Sequence, residues 1–371
     1  MNSFNPPKRI LMGPGPSNVH PRVLEAMARP TIGHLDPKFI ELMDEIKELL
    51  KYAFQTKNEV TFAVSGPGSV GMETCLVNLV EPGSKVLVCI NGVFGGRMKS
   101  IVERCGADPV VLSVPWGRAI DPELFEDTLK KNTGISVCAF VHAETSTGAK
   151  SDIKTLTEIA HKYNCLIIAD TVTSLGGIPL LIDEWNIDSS YSGSQKCLSC
   201  PPGLSPITFN ERATEFIRNR KTPVQSWFMD LNLILSYWGG RSKRAYHHTA
   251  PINSLYALHE SLLILKEEGI ENSWKRHKTN GNKLVQELEK IGLKPSVNES
   301  ERLPQLTAVI IPEGIDEAKI RKSLLDDYNI EIGAGLGELA GKVWRIGLMG
   351  FSSNEENISS CVDALKEIIV K

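Results

Sequence analysis

A chain of 371 residues, 42% hydrophobic and 23% charged, has the composition of a globular protein large enough for two domains. Its formal charge of −3 excludes the clustered basic footprint of a nucleic-acid binder, and the short run 241–244 reads as a solvated face. No stretch reaches the roughly 20 apolar residues that span a bilayer, and no signal-peptide core is visible.

Taken in chain order, a helix is expected over 36–54, where Phe39, Leu42, Met43, Ile46, Leu49, Leu50 and Ala53 share one face. Strands are expected at 60–64, 85–90, 109–114, 136–141, 166–169, 188–191 and 206–209. Most are continuously apolar, as strands covered on both faces should be. Asp121-Pro122 opens a helix between two of them, with Asp as cap and Pro at the first helical position. After about residue 250 the pattern changes. A long helix is expected from 255 towards 288, then a strand (306–311), a helix (316–326), strands at 330–332 and 343–348, and a last helix from 354. The expectation is an α/β chain: an N-terminal arm (1–20), a three-layer α/β/α large domain (21–265) with a mostly parallel seven-stranded sheet, and a smaller C-terminal α/β domain (266–371). The eight cysteines are scattered singly, which fits buried thiols in a reducing compartment and a cytoplasmic protein.

Three motifs carry chemistry. Tyr191-Ser-Gly-Ser-Gln-Lys196 ends a strand in small residues and then presents a lysine able to form an imine with an aldehyde cofactor. A lone lysine on a loop is usually just solvated. Here an apolar strand roughly 25 residues earlier ends in Asp170, where open α/β sheets bind ligands and where a carboxylate can keep a pyridinium nitrogen protonated. Ser65-Gly-Pro-Gly-Ser-Val-Gly follows a strand and opens a helix, as a phosphate site does. It also fits the dinucleotide pattern G-x-G-x-x-G, but the next strand ends in Cys89-Ile-Asn91 with no acidic residue for a ribose. Softer candidates are Phe94 for stacking on a flat ring, the hydroxyls of Thr145-Ser-Thr, and Arg345, a lone arginine in an apolar strand suited to a carboxylate. Adjacent His247 and His248 do not point the same way on a regular element, and Cys197-Leu-Ser-Cys200 has no second pair.

Together these motifs resemble the class V, fold-type I pyridoxal-phosphate aminotransferases, and within them the alanine–glyoxylate and serine–pyruvate group. The resemblance runs over nearly the whole chain, from Met12-Gly-Pro-Gly-Pro-Ser17 through Glu144-Thr-Ser-Thr-Gly148, Pro201-Pro-Gly203 and Tyr246-His-His-Thr249 to Gly341-Lys-Val-Trp-Arg-Ile-Gly347. It implies that Lys196 binds the cofactor and shuttles the proton, and that Asp170 pairs with the pyridine nitrogen. It implies that Gly68, Ser69 and Gln195 hold the phosphate, joined by Tyr246 and Thr249 across a homodimer interface. Phe94 takes the ring-stacking position, commonly Trp in animal members; Thr145 touches the ring substituents. Arg345 binds the substrate carboxylate, and His34 lines the substrate side. The implied activity is ping-pong transfer of the amino group of alanine or serine to glyoxylate or pyruvate. Alternatives are an (S)-ureidoglycine–glyoxylate aminotransferase, or a lyase or desulfurase. The first usually has Gln and Asn where this chain has His34 and Tyr246. Desulfurases usually carry His before the lysine, where Gln195 stands here. No metal is implied.

Overall fold

The computed structural model describes residues 1, 3–239 and 244–370, so residues 241–243 of the basic run lie outside the described part. The main sheet has seven strands: β1 (Val60–Ser65), β2 (Lys85–Ile90), β3 (Asp108–Ser113), β4 (Ile135–Val141), β5 (Leu166–Asp170), β6 (Ser189–Tyr191) and β7 (Leu204–Phe209). Their spatial order is β1-β7-β6-β5-β4-β2-β3. Only β7 runs antiparallel to its neighbours, and the other pairings within the sheet are parallel. These are the seven strands expected, with ends moved by one or two residues. Every residue of β5 and nearly every residue of β4 is buried, which requires cover on both faces and explains their unbroken apolar sequence.

Helix α1 (Pro37–Phe54) starts where expected: Asp36 Oδ1 accepts from Lys38 N at 2.8 Å, and Pro37 needs no N–H partner. Phe39, Met43, Ile46, Leu49, Leu50 and Ala53 are buried, while Leu42 is only half-buried on the flank. Each fully buried Phe, Met, Ile or Leu side chain among them contributes about 1.5–3 kcal/mol by leaving water. Two further helices begin at the same edge of the sheet, α2 (Gly68–Leu79) after β1 and α3 (Val93–Arg104) after β2.

The long helix expected over 255–288 is two helices, α4 (Ile252–Glu268) and α5 (Ile270–Lys290). Gly269 divides them with φ of +86°, a conformation that interrupts the helical ladder and suits glycine. Leu284 and Leu288 of α5 enter a second hydrophobic core. That core lies under an antiparallel sheet of β8 (Leu306–Ile310), β9 (Gly333–Ala334) and β10 (Val343–Gly347), with β10 central, and is shared by α6 (Glu317–Tyr328) and α7 (Glu355–Val370). The strand expected at 330–332 is found at Ile330–Glu331, and a further short strand, not expected, follows at Gly333–Ala334. Ile330–Glu331 pairs in parallel with Ile10–Leu11, and only Gly333–Ala334 joins β10. The N-terminal segment is therefore stitched into the second core, with Met12 fully buried there and Gly347 N donating to Met12 O at 2.7 Å. Among the described residues no helix is long and apolar enough to cross a membrane.

Candidate active site

Asp170 ends β5, its side chain 3% exposed. Oδ1 accepts from Val172 N at 2.9 Å, and Oδ2 accepts from the Tyr191 hydroxyl at 2.7 Å. Burial pushes this carboxyl up to about 7, and the nearby charge of Glu144 adds to the rise. The two hydrogen bonds and Lys196 oppose it. Asp170 is thus a desolvated carboxylate without a cation bonded to it, poised to accept a proton-bearing ring nitrogen.

Lys196 lies in the loop after β6, 8% exposed. Its Nζ donates to the Pro14 carbonyl. Burial brings the ammonium down to about 8, and the positive charge of Arg345 acts in the same direction. The Gly13–Ser17 segment is moulded around the lysine. Gly15 has φ of +101°, and a Cβ there would lie 2.5 Å from Nζ, so both backbone and space demand glycine. Ser17 locks the loop from the same side, its N bonding Gln195 O at 3.0 Å and its Oγ bonding Lys196 O at 2.9 Å.

Arg345 reaches the same place from β10, with 6% exposure. Nε donates to Ala334 O at 2.7 Å and Nη1 to Thr145 O at 3.1 Å. Burial lowers the guanidinium to about 10, so it remains charged at neutral pH. Both recorded bonds go to carbonyls, which leaves further N–H groups of the fork for an incoming anion.

The glycine turn sits beside them. Gly66 has φ of +142°, and Gly68 opens α2, whose N-cap Pro67 provides no side-chain acceptor. A Cβ on Gly68 would lie 3.1 Å from Val172 Cγ2 and 3.6 Å from Ser192 O, so this helix end is pressed against the Asp170 and Lys196 loops. Ser69 Oγ accepts from Arg97 Nη1 at 2.8 Å, and the same guanidinium lies 4.9 Å from the centre of the Phe94 ring. Phe94 is in the first turn of α3 rather than at the strand end, and is half-buried. The Gln195 side-chain Oε1 is buried with no hydrogen-bond partner among the described residues.

Tyr246 and Thr249 are exposed and are not joined to the lysine by any hydrogen bond among the described residues. Their hydroxyls are 3.4 Å apart, and the rings of Tyr246 and His34 are 5.2 Å apart. Between them His248 anchors the segment on Ser65 Oγ at 3.1 Å, and His247 bonds Phe228 O at 3.2 Å. Cys197 and Cys200 are buried thiols, each pushed up to about 12 by burial.

Four contributors were not singled out from sequence: Pro14, Tyr191, Arg97 and Glu144. Tyr191 heads the lysine motif and could have been read as the neighbour of Asp170 in an adjacent strand. Pro14 and Glu144 act through contacts that no local spacing encodes.

The residues present fit pyridoxal phosphate. The unpartnered Gln195 amide, the uncapped start of α2 and the glycine cradle match a phosphate; Asp170 matches a pyridinium; the buried, carbonyl-bonded Lys196 matches an aldehyde.

Comparison with known proteins agrees. The family profile described as "Aminotransferase class-V" matches residues 10–358. Alanine–glyoxylate aminotransferase of Rattus norvegicus is 42% identical over 98% of this chain and 88% of its own length. The crystal structure of an alanine–glyoxylate aminotransferase from Nostoc sp. superposes with a TM-score of 0.97 at 47% identity, covering 100% of this chain and 97% of that one. A ureidoglycine–glyoxylate aminotransferase from Bacillus subtilis also superposes at 0.97, with 39% identity over 100% of this chain and 95% of its own. The fold is fold-type I, the cofactor is pyridoxal phosphate, and the chain belongs to the class-V aminotransferases.

Proposed function

We propose that this enzyme moves the amino group of a small amino acid, alanine or serine, to glyoxylate or pyruvate by a ping-pong route. The observation that carries this reading is the convergence of three buried groups from distant parts of the chain, Asp170, Lys196 and Arg345, beside an uncapped helix end. The names of the rat and Nostoc relatives support alanine and glyoxylate as substrates.

Bound here, pyridoxal phosphate supplies an aldehyde that condenses with amines and a ring that withdraws electrons from the adjacent carbon. Lys196 would hold the cofactor's aldehyde, and its free amine would be the group that takes the α-proton and returns it. An amine held near neutrality by burial is a better base at working pH than an ordinary lysine. Asp170 holds a proton at the ring nitrogen, with Tyr191 fixing the carboxylate rotamer. Gly68, Ser69 and Gln195 would hold the phosphate, Phe94 would stack on the ring, and Thr145 would meet its substituents. Arg345 fixes the substrate carboxylate so that the Cα–H bond is held in one orientation. His34 stands on the substrate side. Tyr246 and Thr249, exposed here, serve the phosphate of a second copy, which makes the working unit a homodimer. We read the chain as an arm (1–20), a large domain (21–265) and a small domain (266–371); the separate cores around the main sheet and around β10 support the last two, with Met12 of the arm packed into the second. Eight free, buried thiols support a cytoplasmic location.

The Bacillus subtilis relative keeps (S)-ureidoglycine as the competing donor. The chain departs from that group at His34 and Tyr246, whose rings touch. The test is initial rates with L-alanine, L-serine and (S)-ureidoglycine against glyoxylate and pyruvate. Parallel double-reciprocal lines with alanine or serine, lost in Lys196→Ala, are expected. Oxo-acid release without an acceptor, or transfer from ureidoglycine alone, would overturn the reading.

A further inference from the structure

Helix α3 begins at Gly92, which has no side chain to cap it. Its first N–H groups are satisfied instead by a loop 50 residues later in the chain. Val93 N donates to Ser146 Oγ at 2.9 Å, and Phe94 N donates to Glu144 Oε2 at 3.2 Å. Glu144 Oε1 accepts from Ser146 N at 3.0 Å and from Ser146 Oγ at 2.5 Å. The fit requires glycine at 92, because a Cβ there would lie 2.5 Å from Glu144 Cδ.

Glu144 is fully buried, and its recorded partners are N–H and hydroxyl groups. A buried carboxylate held this way is costly unless every partner is well placed. The groups it fixes are those of the site. Phe94 is one of its donors, and Arg97 on the same helix bonds Ser69 in the phosphate turn. Thr145, the next residue in the loop, gives its carbonyl to Arg345. Its charge reaches Asp170 and Arg345 as well.

We propose that Glu144 is a positioning residue for this reaction: by capping α3 from a neighbouring loop, it fixes the ring of Phe94 over the cofactor face. The proposal rests on the cofactor reading above. The contacts of Glu144 run to the start of α3 and to Ser146, so the role assigned to it is the placement of α3.

The test is a double-mutant cycle on the full chain freed of cofactor. The probe is 4′-deoxypyridoxine 5′-phosphate, which has the ring and phosphate but no aldehyde, titrated by calorimetry. The proteins are the unaltered chain, Glu144→Gln, Phe94→Ala and the double variant, each with its melting temperature measured. With Phe94 present, Glu144→Gln is expected to weaken probe binding about 10-fold; with Phe94→Ala, less than about 2-fold, because the contact it positions is already gone. A purely structural role would lower Tm and leave affinity unchanged, or cost the same factor in both backgrounds. Either result overturns the proposal. If Glu144→Gln does not fold, Ser146→Ala goes through the same cycle under the same criteria. Failure of the unaltered chain to bind the probe would overturn the cofactor reading and this proposal together; binding without coupling would overturn only the proposal.

Discussion

Replacing Arg345 with lysine keeps a cation in β10 but removes the planar fork. In the structure Nε and Nη1 are engaged by Ala334 O and Thr145 O, which fixes the plane of the guanidinium before any ligand arrives. The remaining N–H groups can make two charge-assisted bonds to a carboxylate. Lysine, a compact charge on a flexible stem, cannot reproduce that geometry. Two such bonds at the lower end of their range amount to about 3 kcal/mol, or roughly a hundredfold in kcat/KM. The assay couples pyruvate formed from L-alanine, with glyoxylate as acceptor, to lactate dehydrogenase. Ethylamine, which is alanine without its carboxylate, is the control donor, followed by acetaldehyde release. Arg345→Lys is expected to lower the alanine rate about a hundredfold and to leave the ethylamine rate within about threefold, so that discrimination between the two collapses. Equal losses for both donors would refute a carboxylate-binding role and indicate a general distortion of β10.

Two pH predictions follow from buried groups. Burial holds Lys196 near a pKa of about 8, so its labelling by acetic anhydride in cofactor-free protein should rise with a midpoint near that pH. A midpoint at the ordinary lysine value of 10.5 would show that the amine is solvated and the geometry wrong. Burial also lowers His277 to about 4 from 6.5, and its ring is bonded to Ser273 O and Gly350 N as a neutral imidazole. The unfolded chain therefore binds more protons between those two values. This contribution to stability is complete above pH 6.5 and disappears as pH falls towards 4. Between pH 7.5 and 5, urea unfolding should show the unaltered protein losing about 2 kcal/mol more than His277→Gln. Equal losses would mean that His277 is not held neutral.

The parts legible in the sequence were those in which one short run carries both a structural and a chemical signal. Asp170 ends a run of apolar residues, so that a carboxylate stands at the C-terminal edge of a strand buried on both faces. Lys196 and the Gly66–Gly68 turn follow the same logic, since small residues precede a ligand that approaches the backbone. The break at Gly269 was missed because apolar periodicity continues on both sides of it, and a positive φ is not a periodic property. The strand at Gly333–Ala334 carries no signal of its own, because two small residues pair with β10 only through their backbone, while Ile330–Glu331 is claimed by a partner at the other end of the chain. Glu144, Pro14 and Tyr191 act by contacts set by topology, which composition and spacing do not record. Tyr246 and Thr249 were legible as a motif, but within a single chain they meet each other rather than the lysine.

The lysine pocket takes Pro14 from the beginning of the chain, Asp170 and Lys196 from its middle and Arg345 from near its end. A polypeptide emerging N-terminus first has all seven strands of the main sheet by residue 209, long before β10 exists. The nascent protein therefore acquires its cofactor-facing lysine well ahead of its substrate-carboxylate anchor, and the strand that keeps Ile10–Leu11 in place also arrives late. Premature termination before β10 would yield a chain that has Lys196 but lacks Arg345, and with it the strand that meets the Met12 end of the lysine cover.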